Sequence, residues 1–322
     1  MKAVQITQFG GAEELKYLDL PDPVPGPGDV LVRVQAAGVN FADIYSRRGN
    51  YPGPDLPRIL GQEGAGLVEA LGPGATGFAL GDTVAWSGVP KAYAELAVVP
   101  AGRLITMPPG VEATVGAAAL LQGMTAHYLC RTTYPVQPGD RVLIHAGAGG
   151  VGLLLIQMVK RLGGYVYSTV STEAKAALAR EAGADEVILY NDVDFAQEIK
   201  RATNGEGVHV VYDAVGATTF DQSIASLRPR GYMVLYGMAS GPVPPVPVAM
   251  LNAGSLFLTR PTLVNYTSDR AELEWRAGDV LRWIGSGELT LRVEHIFPLS
   301  QAAEAHRALE GRETTGKIVL IP

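Results

Sequence analysis

The stretch that decides the fold is His145-Ala146-Gly147-Ala148-Gly149-Gly150-Val151-Gly152, which joins a strand-like run at 140–144 to a helix-like run at 153–162. Glycine permits a tight turn there. Lacking a Cβ, it also lets backbone N–H groups close on phosphate oxygens, and the helix N-terminus that follows favours their charge. Loops collect glycines for many reasons, so the run alone is a weak signal. The strand before it and the helix after it are the context that a dinucleotide pyrophosphate requires.

Working outward, strands at 141–145, 165–170, 186–189, 209–214 and 231–236 alternate with apolar-striped helices at 151–162, 172–181, 195–201 and 218–227. Such βαβ alternation predicts a doubly wound parallel sheet with both faces covered. A run at 255–259 would make a sixth strand, and 112–131 reads as a helix leading into the sheet. Before about residue 125 the rhythm differs. Short strands at 30–36, 64–70, 83–86 and 92–99 are separated by dense Gly, Pro and Asp turns, which predicts a compact, mostly β domain. After Pro261 come a helix at 269–284, a strand near 289–297, a helix that Ser300 could cap, and a strand at 317–320. These fit the first domain better than further layers on the parallel sheet. The expected organisation is an insertion, with 1–125 and 261–322 forming one domain and 126–260 the nucleotide domain.

A length of 322 residues suits two domains. The net charge of −6 and the absence of any long Lys/Arg block argue against nucleic acid as the main ligand. Cys130 is the single cysteine, so a disulfide within the chain and a zinc site of several thiolates are both excluded. The opening residues alternate like a strand without a leader-like apolar core. No apolar run approaches the roughly 20 residues a bilayer requires. A cytoplasmic protein with no membrane association is the expectation.

The second strand of the parallel sheet bears on which nucleotide binds. An NAD site places an acid about 20 residues past the glycines, where it holds the ribose 2′-hydroxyl. Ser171 falls at that position here, with Lys175 one helical turn on and Tyr190 just beyond the third strand. A hydroxyl and a cation suit a 2′-phosphate, which an aspartate would repel. The plainer reading is a helix cap and a solvated lysine. Glu173 complicates the choice, because turned inward it could serve NAD.

At this point several motifs converge: 36–49 (AAGVNFADIYSRRG), 60–66 (LGQEGAG), 122–127 (QGMTAH), the glycine turn, and 258–263 (LTRPTL). Nearly end to end, the chain resembles the quinone oxidoreductase, zeta-crystallin-like family of the zinc-free medium-chain dehydrogenase/reductase superfamily. The resemblance implies a GroES-like, mostly β catalytic domain with a Rossmann domain, an NADPH cofactor, a homodimer or homotetramer, and a quinone or conjugated carbonyl substrate. It places Asn40, Asp43, Tyr45 and Tyr51 in the substrate cleft. Gly147, Gly149, Gly150, Val151 and Gly152 fall at the pyrophosphate, and Ser171, Lys175 and Tyr190 at the 2′-phosphate. Gly237 and Thr125 lie toward the nicotinamide and its ribose, and Lys317 where the family brings a basic residue toward the cofactor. The zinc-dependent branch instead has a metal-binding cysteine near Asn40 and a histidine at Gln62. Neither residue here is a good zinc ligand, and Glu63 beside them cannot make a metal site alone.

Without a Lewis acid, alcohol oxidation is a poor reading. Hydride addition to a quinone is a better one, because the charge it creates delocalises. Tyr51 or Tyr45 is the candidate hydrogen-bond and proton donor, with solvent as the other route and ring packing as the plainer reading. Asn40 either donates its amide to ribose or substrate or satisfies the turn after Val39, and Asp43 reads as structural, holding Asn40 or Arg47. The rivals are NADPH-dependent reduction of an enone or enal C=C bond, and a non-catalytic NADPH-binding structural or RNA-binding protein.

Overall fold

The structure, a computed structural model, describes residues 1–51, 53 and 55–322. It divides into two compact units: Met1–Met124 with Thr267–Pro322, and Thr125–Tyr266.

The first unit opens with β1 (Lys2–Ile6), β2 (Lys16–Asp19), β3 (Asp29–Val39), the short helix α1 (Phe41–Arg47), β4 (Arg58–Ile59), β5 (Glu63–Leu71), β6 (Thr83–Ser87), β7 (Leu96–Pro100) and β8 (Ile105–Thr106). The helix α2 (Ala113–Tyr128) then leads out of it. β1 lies between β2 and β4 in a small antiparallel sheet. β3 is the spine of a larger one, pairing along its length with β5 and, over Asp29–Arg33, with β7. The strand expected at 92–99 therefore begins later, at Leu96, because Ala92 and Tyr93 are used to close on Gly61 and Leu60. Val4, Ile6, Val32, Val34, Trp86 and Tyr93 form the centre of its core.

The second unit contains β9 (Arg141–His145), α3 (Gly150–Arg161), β10 (Tyr165–Val170), α4 (Glu173–Glu181), β11 (Glu186–Leu189), α5 (Phe195–Ala202), β12 (Val208–Asp213), α6 (Phe220–Ala225), β13 (Leu227–Leu235) and β14 (Phe257–Thr259). All six strands are parallel, in the order β11-β10-β9-β12-β13-β14. Counted along the chain this is 3-2-1-4-5-6, the Rossmann order, and it makes the carboxyl ends of β9 and β12 the switch point where ligands bind. The expected sixth strand is present but shortened to three residues.

The chain then returns to the first unit as α7 (Arg270–Gly285), β15 (Val293–Pro298), α8 (Ala302–Glu310) and β16 (Lys317–Ile321). β16 pairs antiparallel with β3 at Ala37–Val39, so the two separated segments of the first unit share one sheet. Ser300 does not cap α8. A 3-10 turn at Leu299–Gln301 intervenes and Gln301 holds the cap position, without a side-chain bond. No helix of the described residues is long and apolar enough to cross a membrane.

Candidate active site

In the second unit, the glycine turn is built so that a side chain would destroy it. A Cβ on Gly152 would lie 2.3 Å from the Ala146 carbonyl oxygen, one on Gly147 would lie 1.9 Å from Ser168 Oγ, and Ala146 itself has φ of 55°. Gly149 precedes α3 in extended conformation, and a Cβ there would meet only the Ala146 oxygen, at 3.2 Å. Gly150 and Val151 supply the first turn of α3, where backbone N–H groups have no intrahelical partner. The cradle fits a pyrophosphate.

Beneath the turn, His145 ties β9, β10 and α6 together. Its Nδ1 lies 2.7 Å from Thr169 Oγ1 and its Nε2 2.9 Å from Ser223 Oγ, which donates to Asp213 Oδ2 at 3.1 Å. With the serine proton committed to Asp213, Nε2 donates and Nδ1 accepts. Burial lowers the pKa of this imidazole, more than Asp213 raises it. Gly237 is backed onto Ala214 so closely that a Cβ would come within 2.3 Å of its carbonyl oxygen. Thr125 lies buried in α2.

Ser171 and Tyr190 leave the carboxyl ends of the adjacent strands β10 and β11, where Val170 faces Leu189. The Tyr190 amide donates to Val170 O at 3.2 Å, and Asn191 Nδ2 to Ser171 O at 3.0 Å. Thr172, not Ser171, caps α4, accepting from the Lys175 amide. The hydroxyl of Ser171 is thus not needed for the cap. Glu173 is paired with Arg180 at 2.5 Å on the exposed face of α4.

In the first unit, Asn40 heads α1, and its backbone N–H donates to Asp43 Oδ2 at 2.9 Å. Its side chain lies in a wholly buried cluster. Lys317 Nζ donates to Asn40 Oδ1 at 2.7 Å and to Glu63 Oε2 at 2.6 Å, and Asn40 Nδ2 donates to the same Glu63 oxygen at 3.1 Å and to Gly38 O at 3.3 Å. Glu63 Oε1 accepts from the Leu121 amide of α2 at 2.7 Å. The Asn40 amide is thus engaged within the protein rather than held out toward a ligand. Lys317 likewise presents its ammonium inward, with its side chain 0% exposed. Gln62 lies half-buried between β4 and β5, where its carbonyl accepts from the Gly88 amide.

Asp43 holds Asn40, but not Arg47. Its Oδ2 also accepts from Tyr93 OH at 3.1 Å, and its Oδ1 is buried without a partner among the described residues. Burial pushes this carboxyl up to about 7, against the lowering pull of the Asn40 amide, Lys317 and Tyr93. Tyr93 OH lies 3.1 Å from His306 Nε2, Arg47 Nη1 3.1 Å from His306 Nδ1, and Arg47 Nη2 2.7 Å from Glu310. A guanidinium has only donors, so Nδ1 accepts and Nε2 carries the proton. Burial, then the Arg47 charge, lowers His306 to about 3. Spacing could not reveal this chain, since Tyr93 and His306 are 213 residues apart. Tyr45 is buried on α1 with its ring centre 5.5 Å from that of Tyr51, which is only half-buried.

Two family models match the chain. The alcohol dehydrogenase GroES-like domain covers residues 26–130, and the model described as zinc-binding dehydrogenase covers 150–283. The donor set does not fit zinc. Asn40 and Gln62 stand where cysteine and histidine would be needed, an ammonium lies against Asn40 and the lone carboxylate Glu63, and burial holds the Cys130 thiol up at about 12. Among the described residues no three His, Cys, Asp or Glu side chains are grouped to hold a metal.

Quinone oxidoreductase from Pseudomonas aeruginosa is 43% identical over 323 residues, covering 100% of this chain and 99% of that one. A 2-haloacrylate reductase from a Burkholderia species is 41% identical, covering 99% and 98%. Among solved structures, mycobacterial Rv1454c complexed with NADPH superposes with a TM-score of 0.97 at 47% identity over 100% of both chains. Motifs, fold and relatives agree from end to end: this chain belongs to the quinone oxidoreductase family of the zinc-free medium-chain dehydrogenase/reductases.

Proposed function

We propose that this protein is an NADPH-dependent quinone reductase that works without a metal. The observation that carries the reading is the paired ends of β10 and β11. Ser171, Lys175 and Tyr190 leave them with no inward acid, because Glu173 is turned to Arg180. The side-chain-free cradle of Gly147, Gly149 and Gly152 holds the pyrophosphate, with the α3 N-terminus behind it, while Gly237 and Thr125 serve the nicotinamide end. NADPH, when bound, supplies a hydride.

The acceptor sits at the Tyr45–Tyr51 pair. The half-buried Tyr51 hydroxyl donates to the acceptor oxygen as it gains charge, and the ring pair orients the acceptor by packing. Asn40, Asp43, Glu63 and Lys317 act behind them, fixing the head of α1, with Gln62 beside the cleft. A conjugated C=C bond is the second reading, favoured by the similarity to a 2-haloacrylate reductase, because the same donor would serve an enolate oxygen. We infer a cytoplasmic homodimer or homotetramer.

The test is steady-state turnover of NADPH and NADH against a panel of quinones, enones and enals, before and after dialysis against chelator. At least tenfold preference for NADPH, about 1.4 kcal/mol, is expected with quinones as the best acceptors and no loss on chelation. Tyr51→Phe should lower kcat while leaving NADPH affinity unchanged. Equal use of both nucleotides, or activity lost on chelation and restored by zinc, would overturn the reading.

A further inference from the structure

We propose that Arg58 is an anion-recognising residue at the acceptor site, and that the protein prefers acceptors carrying a carboxylate beside the bond to be reduced. The choice of acceptor rests on the quinone reductase reading; the anion site does not. Arg58 opens β4 and is 6% exposed. A guanidinium carries five N–H donors and keeps its charge when buried, so it needs acceptors around it. Arg58 has one, at the limit of a hydrogen bond, with Nη2 3.5 Å from Ser46 O. Its Nε and Nη1 are buried without a partner among the described residues.

Other buried cations of the first unit are matched: Arg47, Arg276 and Lys317 each meet a carboxylate. Arg58 meets the Phe9 ring instead, 4.9 Å from its centre, which covers one face of the guanidinium but leaves the N–H groups at its edge without acceptors. An unmatched buried cation is costly, and a bound anion removes that cost. Both neighbours of these N–H groups lead to the acceptor tyrosines. Ser46 follows Tyr45 on α1. Gly53, two residues past Tyr51, runs so close to Nη1 that a Cβ on it would lie 2.2 Å away. A carboxylate borne by a ring packed on Tyr45 and Tyr51 supplies both the charge and the hydrogen-bond acceptors that Arg58 lacks.

The same cation serves the chemistry of a conjugated carboxylate. Hydride adds to the carbon β to the carboxylate, and the C=C electron pair moves onto the α carbon and the carboxylate oxygens. A proton from Tyr51 or solvent then forms the α C–H bond, leaving NADP+ and the saturated acid. A quinone carboxylate takes one hydride and one proton to the quinol. In both cases negative charge grows next to a group that is already anionic, and a fixed guanidinium opposes that penalty.

Matched neutral and anionic probes test the proposal. In calorimetry with NADP+ present, benzoate should bind the wild type at least about tenfold tighter than benzamide, and Arg58→Met should lose that preference. Sulfate should bind more weakly than benzoate and compete with it; tighter sulfate binding would make this a site for a free inorganic anion and overturn the acceptor assignment. In turnover, kcat/KM should favour 1,4-naphthoquinone-2-carboxylate over menadione, which carries a methyl group in its place, and the ratio should fall about tenfold in Arg58→Met. If Arg58→Met does not fold, Arg58→Lys carries the test, since it keeps the charge without the planar fork and should reduce both preferences severalfold. A wild type indifferent to the benzoate charge, or preferences that survive in the variants, would overturn the proposal. Absence of quinone turnover in the wild type would instead sink the reductase reading, and the benzoate comparison would still decide the anion site.

Discussion

Burial disfavours the charged form of both Asp43 and His306, yet they bend the pH dependence of stability in opposite directions. The Asp43 carboxyl is raised from 3.8 to about 7, so the fold retains a proton that the unfolded chain releases, and stability falls as pH rises between about 4 and 7. The His306 imidazole is lowered from 6.5 to about 3, so the unfolded chain gains a proton that the fold refuses, and stability falls as pH drops from about 6.5 toward 3. Each effect is on the order of 4 kcal/mol, and through the shared window they oppose each other. Unfolding by urea across this range should show His306→Gln growing more stable, relative to wild type, as pH falls from 7 to 4. Asp43→Asn should grow less stable over the same range. Parallel curves for all three proteins would mean that neither group is held as described. The sequence offered Asn40 or Arg47 as the partner of Asp43, and the fold supplies Asn40. It was silent on Tyr93 and on the pairing of Arg47 with His306, contacts made by tertiary packing alone.

At the scale of elements, the parallel sheet was legible because its strands and helices carry the apolar periods that burial on both faces demands. The short α1 was not. Seven residues give little periodicity, and the turn reading of Asn40 hid the fact that Asn40 and Asp43 make a helix start. The edge strand β2 has all four residues exposed and so lacks an apolar stripe. The glycine turn offers a graded test. Gly152→Ala forces a Cβ against the Ala146 backbone and should cost roughly 1–3 kcal/mol of stability along with most nucleotide affinity. Gly149→Ala meets only one oxygen, at 3.2 Å, from an extended backbone, so stability should hardly change. Any loss of NADPH affinity in Gly149→Ala then reports the approach of the phosphates themselves. Calorimetry with thermal melts of both variants separates the two effects, and equal destabilisation would refute the graded reading.

For the whole molecule, the expected self-association places the contact at β14. This strand ends the parallel sheet with Phe257 48% and Leu258 36% exposed, while Leu256 turns into the core. An apolar sheet edge is a liability that proteins usually cover, and pairing with a two-fold mate covers both copies at once. Leu258→Asp should shift a dimer to monomer in sedimentation analysis, with the melting temperature of the second unit little changed. A wild type that sediments as a monomer at micromolar concentration would remove this interface.

The meeting of β16 with β3 also dictates an order of events during translation. The second unit is one continuous segment and can close as soon as it has left the ribosome. The first unit cannot, because Glu63 waits 254 residues for the ammonium that neutralises it, and β3 waits longer still for β16. Throughout that interval the nascent chain carries a carboxylate that cannot yet be buried and a strand edge that cannot yet be paired. Synthesis of β16 is therefore the step that seals the site, and a ribosome stalled before it would leave a finished nucleotide domain attached to an open, aggregation-prone sheet.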